Sequence, residues 1–400
     1  MILVVGLTFN PMDPDFVADP YPTYHRLRLE EPVHRSPLGF WVLTRYDDVV
    51  AALRDPRLAK EAIASFVAAR LGTTASPVTA LSMLDRDPPD HTRLRGLVSK
   101  AFTPRVVETL RPRIQTVVDG LLARVASAGR MDLIEDFAYP IPVVVICEML
   151  GVPVEDHETF KGWGLDLARG LDAVLLPPDS GVAERSLAAR RALAEYFRGL
   201  IATRRASPRS DLLSALIAAE EAGDSLTEEE LLATCILLLI AGHETTVNLI
   251  GNGTLALLRH PDQLTRLRGE PGLIGTAVEE LLRFDGPVQR TARIPAADMT
   301  IAGQKIAAGD MVMPFIGAAD RDPAQFPDPD RLDIGRAENR HIAFGWGIHF
   351  CLGAPLARVE GQIAINTLVR RLPNLALATD RPEYRQSLTL RGLKTLPVTF

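Results

Sequence analysis

The chain has 400 residues, 47% of them hydrophobic and 24% charged, with a formal net charge of −6 at pH 7. That length and apolar share provide for a large buried core, and the mild acidity gives no electrostatic case for a nucleic-acid or anionic-membrane partner. Three cysteines, an odd number, argue against a disulfide scaffold and for a reducing compartment.

Met1 to Leu7 is apolar for too few residues to span a bilayer and lacks the basic flank of a signal peptide, so a cytoplasmic location is expected. Tyr21–Glu30 reads as helix, Val33 and Phe40–Thr44 as strands around the turn Ser36 to Gly39, and Tyr46–Arg54 as a helix stopped at Asp55-Pro56. Residues 60–87 read as a long adaptable loop with helical pieces. Helices are expected from Pro89 to about Phe102 and from Pro104 to about Ala128. Four more follow by period, at Ile141–Leu150, Asp156–Gly170, Val182–Ala206 and Asp211–Glu221, with Pro177-Pro178 marking a lid. Thr227-Glu228-Glu229-Glu230 caps a long helix reaching about His260, roughly 45 Å in length. A helix over Leu273–Phe284 is followed by short strands near Thr300–Ile301, Lys305–Ile306 and Met311–Phe315. A helix ending near Arg371 and two short strands flanking Leu388–Gly392 complete the chain.

No linker, charge block, low-complexity tract or repeat divides the sequence. The expected architecture is one domain over 1–400, mainly α with a minor β lobe. Its helical core covers about 88–285 and 354–371, and its strand-rich lobe about 33–44, 300–315 and 385–400.

The most informative segment is Phe344-Gly-Trp-Gly-Ile-His349-Phe-Cys351-Leu-Gly353, which puts a thiol in a glycine-punctuated turn at the mouth of a helix. Backbone N–H groups and the helix dipole there favour a thiolate, which serves as a nucleophile, a redox centre or a metal ligand. A phosphate cradle would need a third glycine where Phe350 stands. Zinc would need further ligands, and only His349 is near, Cys147 and Cys235 lying in apolar helical runs. A nucleophile would need a base and an orienting residue that spacing alone does not locate. A buried structural cysteine is the ordinary alternative.

F-G-x-G-x-H-x-C-x-G resembles the ligand loop of the cytochrome P-450 family of haem-thiolate monooxygenases, with every fixed position present: Phe344, Gly345, Gly347, His349, Cys351 and Gly353. The resemblance implies haem b as cofactor, Cys351 as the axial ligand of its iron, and His349 at a haem propionate. It covers the chain from Asp13-Pro14 onward and implies the family's helical fold, a long central helix and the Cys-loop helix enclosing the haem.

Three further motifs occur in the family's order. Ala241-Gly242-His-Glu244-Thr245 places an acid and a hydroxyl inside the most apolar helix, where an unpaired Glu is costly and a mid-helix Thr bonds the carbonyl one turn back. Gly242 and Thr245 look like a device that widens the helix, and a packing quirk is the alternative. The match with the family's oxygen groove implies haem contact at Ala241 and Gly242, and proton delivery to oxygen by Glu244 and Thr245. Glu280-Leu-Leu-Arg283 reads as an ordinary helical ion pair. The resemblance makes it a buried structural triad with Arg331, which pins the loop before Cys351. His91 and Arg95, at i and i+4, read as a basic helix face, and by resemblance they meet the propionates together with Arg293, for which Arg290 competes.

The implied reaction is insertion of one atom of O2 into an apolar small molecule such as a fatty acid, terpenoid, steroid or macrolide. The implied electron donor is a separate ferredoxin with its reductase, docking on a basic Cys-side face bearing Lys100, Arg105, Arg340 and Arg358. A monomer is expected. A peroxide-driven peroxygenase and a non-catalytic haem-fold binding module are the alternatives, and intact Glu244 and Thr245 favour the first reading. The expected pocket walls are residues 60–87, the 160–182 lid, Leu237–Val247, Val288–Ala292 and Leu388–Leu390. Arg70 could pair a carboxylate but is more simply solvated.

Overall fold

Threonine and proline decide where the major helices begin. Thr103 accepts from the Val106 N–H and opens Pro104–Val125, while Thr227 and Glu230 form a reciprocal capping box that opens Glu228–Arg259. The structure, a computed structural model, describes residues 10, 12–71, 82–221 and 226–400. The 32-residue helix Glu228–Arg259 is the central strut. It is long and apolar enough to cross a membrane, yet 72% of its most apolar window is buried inside the protein.

Around that strut pack Pro140–Leu150, Val182–Ala206, Leu212–Glu221, Ile274–Asp285 and Ala354–Arg371. The largest core cluster joins Ile146, Leu193, Phe197, Leu232, Ile250 and Leu368. Close approach of the central helix to Pro140–Leu150 requires Gly242: a Cβ there would lie 2.9 Å from Ile146 Cγ1. The helix runs through this point without a break, and Gly242 serves its close packing.

Most elements lie where the sequence places them, Tyr21–Glu30, Tyr46–Arg54 and Val182–Ala206 to the residue. Within the expected 60–87 segment residues 62–71 form one of the anticipated helical pieces, and 72–81 fall outside the described residues. Other elements differ. A helix at Pro261–Gly269 was not foreseen, since it opens on proline and shows no clear apolar period. Leu388–Gly392 is flanked by one bridge, Tyr384 to Leu393, rather than by strands. The C-terminal strand Pro397–Thr399 pairs with Arg130–Asp132 and Ala376–Leu377, apart from the lobe sheet in which Val33–Arg35, Phe40–Leu43 and Met311–Pro314 run side by side.

Candidate functional site

Between Glu230 and Leu257 the central helix is buried except at Leu237, Ile240, Ala241, Gly242 and Thr245. Those positions recur every three to four residues and so share one face. An apolar helix left uncovered along one stripe in mid-protein marks the wall of a cleft. Thr245 faces it, and its hydroxyl donates to the Ala241 carbonyl at 3.0 Å, as a mid-helix threonine does. Glu244 points the other way into the protein, where Arg385 Nη1 meets its Oε1 at 2.5 Å. That is the partner a buried carboxylate demands.

The cysteine loop is folded by its glycines. Gly345 and Gly347 both have φ of +72°, and a Cβ on Gly347 would meet the Leu53 carbonyl oxygen at 2.8 Å. Gly353 has an ordinary φ of −80° at the helix N-cap. The Cys351 N–H donates to the Phe344 carbonyl at 2.9 Å, which closes the loop. Phe344 lies under the Arg358 guanidinium, 4.5 Å from ring centroid to Cζ.

Cys351 is half-buried, and burial pushes its thiol above the ordinary value. The N–H groups of Gly353 and Ala354, with Arg95 and Arg358, pull the other way without prevailing. The helix mouth alone therefore does not ionise this sulfur; a cation bound at the sulfur would. Cys147 and Cys235 are buried thiols, both pushed up to about 12 by burial. No cluster of three or more His, Cys, Asp or Glu suited to a metal ion exists among the described residues, so a metal at Cys351 has to bring its other ligands with it.

Beside the cysteine loop lies a group of basic side chains, three of which feel the Asp87 carboxylate. His91 and His349 stack edge to face, their ring centroids 4.5 Å apart. Both ring nitrogens of His91 and Nε2 of His349 are buried without a hydrogen-bond partner. Burial first, then Lys60, Arg293, His91 and Arg95, holds His349 far below the usual imidazole range. Arg95 donates to the Phe350 carbonyl at 2.7 Å, and Arg293 to Thr291 Oγ1 and the Ala292 carbonyl. Arg290 turns elsewhere and pairs with buried Asp172 at 2.7 Å, so of the two arginines Arg293 is the one in this group. Buried Lys60 and Arg293, half-buried Arg95 and the unbonded ring nitrogens of His91 and His349 fit a ligand carrying carboxylates, and the apolar stripe fits the body of one. Haem meets both requirements.

The triad differs from expectation. Glu280 and Arg283, both fully buried, pair at 2.8 and 2.9 Å, but the third member is Arg336, not Arg331. Arg331 is exposed and contributes only its carbonyl, an acceptor for Arg283 and Arg336. Pro329 and Asp320 carbonyls complete the Arg283 shell, and Asn339 also donates to Glu280.

Three residues carry roles that their local sequence does not announce. Glu360 is buried against the Thr246 hydroxyl, neither oxygen in a hydrogen bond of good geometry, and burial pushes it up to about 8. Asp172, in the lid connection, accepts from Arg290, from Ser387 and Thr389 hydroxyls, and from the Leu388 and Thr389 N–H groups. Lys60 reaches Thr291 Oγ1 at 3.2 Å, and burial, then Arg293, draws its ammonium down to about 7. On the cysteine side Lys100, Arg105 and Arg340 are exposed, as are Ile348 and Phe350, whereas Arg358 is held by Glu279 at 2.7 and 2.8 Å.

Comparison with known proteins gives a consistent result. A family model described as Cytochrome P-450 matches residues 34–393. The chain is 48% identical over 395 residues to the vitamin D(3) 25-hydroxylase of Pseudonocardia autotrophica, covering 96% of this chain and 94% of that protein. The solved structure of myxobacterial CYP267B1 in complex with myristic acid is 46% identical with a TM-score of 0.91, covering 97% of this chain and 98% of that one. That of P450BioI in complex with hexadec-9Z-enoic acid ligated acyl carrier protein is 44% identical with a TM-score of 0.88, covering 96% and 99%.

Proposed function

The chain belongs to the cytochrome P-450 family, and from that premise we propose the residue roles and the substrate class of its reaction. It is a haem-thiolate monooxygenase with haem b as cofactor: substrate-H, O2, two electrons and two protons yield substrate-OH and water. Haem held by a thiolate supplies the activation of dioxygen, electron donation from sulfur favouring O–O cleavage.

In this reading Cys351 would supply the sulfur that holds the haem iron, and the Gly353 and Ala354 N–H groups would temper its charge. His91, Arg95, Arg293 and His349 would hold the propionates, a reading supported by the unbonded ring nitrogens of the two histidines and by the nearness of both arginines to His349. Ala241 and Gly242, on the uncovered stripe of the central helix, would contact the haem. Thr245 would present its hydroxyl to the cleft, its proton held by the Ala241 carbonyl. Glu244, held by Arg385, is the acid from which protons are relayed. Retention of this acid–hydroxyl pair favours dioxygen with reductase electrons over peroxide.

The substrate is a neutral apolar molecule of the terpenoid, steroid or macrolide kind, ahead of a free fatty acid. One observation carries this: the two arginines of the expected pocket walls, Arg290 and Arg70, are already engaged, Arg290 by Asp172 and Arg70 by the Val174 carbonyl. The remaining wall is Leu237, Ile240, Val288 and Ala292. Electrons come from a ferredoxin-type protein drawn to the exposed Lys100, Arg105 and Arg340, with exposed Ile348 and Phe350 of the cysteine loop as apolar contacts, and the reaction is cytoplasmic. A panel of such compounds scored by the low- to high-spin shift tests the substrate class. Tight shifts confined to free fatty acids, lost in their methyl esters, would refute it.

A further inference from the structure

Lys60 and Arg293 are both more than nine-tenths buried, and each donates to the same oxygen, Thr291 Oγ1, at 3.2 Å. Neither side chain forms an ion pair among the described residues. Two cations thus converge on one neutral atom. A hydroxyl oxygen has two lone pairs, and here both are taken by positive donors, which leaves the Thr291 O–H proton free to donate. Three donors, two of them charged, therefore share one small space, and the acceptors that the cations have, Thr291 Oγ1 and the Ala292 carbonyl, are neutral. Such an arrangement is costly unless an anion joins it.

The backbone is built to hold Lys60 there. Leu58–Ala59 pairs antiparallel with Ile294–Pro295, which brings residue 60 beside residues 291–293. The Asp87 carboxylate accepts from the N–H groups of Lys60 at 3.0 and 3.1 Å and of Glu61 at 3.0 Å. Asp87 thereby anchors the backbone and leaves the ammonium to Thr291. Asp85, the other acid nearby, is bonded to Ser82 and is itself pushed up by burial.

We propose that Lys60, through the hydroxyl of Thr291 that it shares with Arg293, completes a carboxylate-binding site, and that the carboxylate is a propionate of the haem. This rests on the haem-binding reading above. The position of Lys60 beside His349 and Arg293, in the group of basic side chains by the cysteine loop, selects a propionate over a substrate carboxylate. The ammonium's depressed proton affinity supports the same view, since an anion between Lys60 and Arg293 would restore its charge.

The test is the rate of haem loss to excess apomyoglobin, measured for wild type, Lys60→Met, Lys60→Arg and Thr291→Val loaded with haem b or with its dimethyl ester. Lys60→Met is expected to lose haem b about tenfold faster or more, the scale of a hydrogen bond between charged partners. Lys60→Arg should stay near wild type, and Thr291→Val, which removes no charge, should fall between. With the dimethyl ester, wild type and Lys60→Met should lose cofactor at equal rates. Equal rates with haem b, or an undiminished tenfold difference with the ester, would overturn the assignment. So would unchanged haem loss accompanied by weaker binding of a fatty acid but not of its methyl ester, which would make the carboxylate the substrate's. The reduced CO spectrum separates the two levels: loss of the thiolate-type Soret band in wild type sinks the haem reading itself, whereas that band with equal loss rates sinks only Lys60.

Discussion

Arg336 Nε lies 3.1 Å from Glu280 Oε2 and 3.2 Å from Oε1, closing the buried acid from the side that Arg283 leaves open. Its Nη1 and Nη2 also hold the Pro327, Asp328 and Arg331 carbonyls, so one guanidinium ties the helix Ile274–Asp285 to the loop that leads to Cys351. Arg336→Met is expected to destabilise by about 1–3 kcal/mol and to quicken haem loss. Arg331→Met should stay within about 0.5 kcal/mol of wild type. Thermal denaturation of both variants checks the assignment; the opposite ranking would restore Arg331 to the triad.

Asp172 collects five donors from two segments and fastens the lid to the C-terminal loop. Asp172→Asn leaves Arg290 buried without a counter-charge and should cost about 3 kcal/mol. Adding Arg290→Met should restore part of that loss, because the pair is coupled. Both variants should take up substrate faster, as read by stopped-flow spin-shift kinetics. Equal on-rates in wild type and the double variant would show that the lid is held by other contacts.

Glu360 binds a proton in the folded protein that it releases on unfolding, since burial raises its pKa from 4.5 to about 8. The folded state then holds more protons than the unfolded state between those values, and stability falls as pH rises across that window. Glu360→Gln should leave stability unchanged near pH 4 and raise it at pH 8, by no more than a few kcal/mol. Urea melts at the two pH values decide it. An equal change at both would mean that Glu360 is ionised and paired.

Thr245→Ala should keep electron consumption near wild type while product per NAD(P)H falls by about tenfold or more, and Thr245→Ser should recover most of it. The readout is the ratio of product to cofactor oxidised. Full coupling in the alanine variant would remove Thr245 from the proton path.

How much was legible follows from whether a signal was local. The capping box at Thr227, the proline starts and the ten-residue cysteine loop are contiguous, and their structural outcome follows from neighbours in sequence. His91 and Arg95 were legible because helical spacing links them. Lys60 was not, because its partner Thr291 is reached only through the pairing of two two-residue strands far apart in the chain. Arg331 and Arg336 sit in one loop, both within chain reach of Glu280. The turn at Asp328, with φ of +46°, lies in that loop, and no propensity separates the two arginines. Glu360 reads as a good helix former; only packing against the central helix turns it inward.

The basic side chains near the cysteine come from residues 60, 91, 95, 293 and 349, so the set is complete only when nearly the whole polypeptide exists. The helix Ala354–Arg371, which completes the main core, also follows Cys351 in the chain. Core and cofactor cradle are therefore finished together at the end of synthesis, and a chain cut short before Cys351 lacks both.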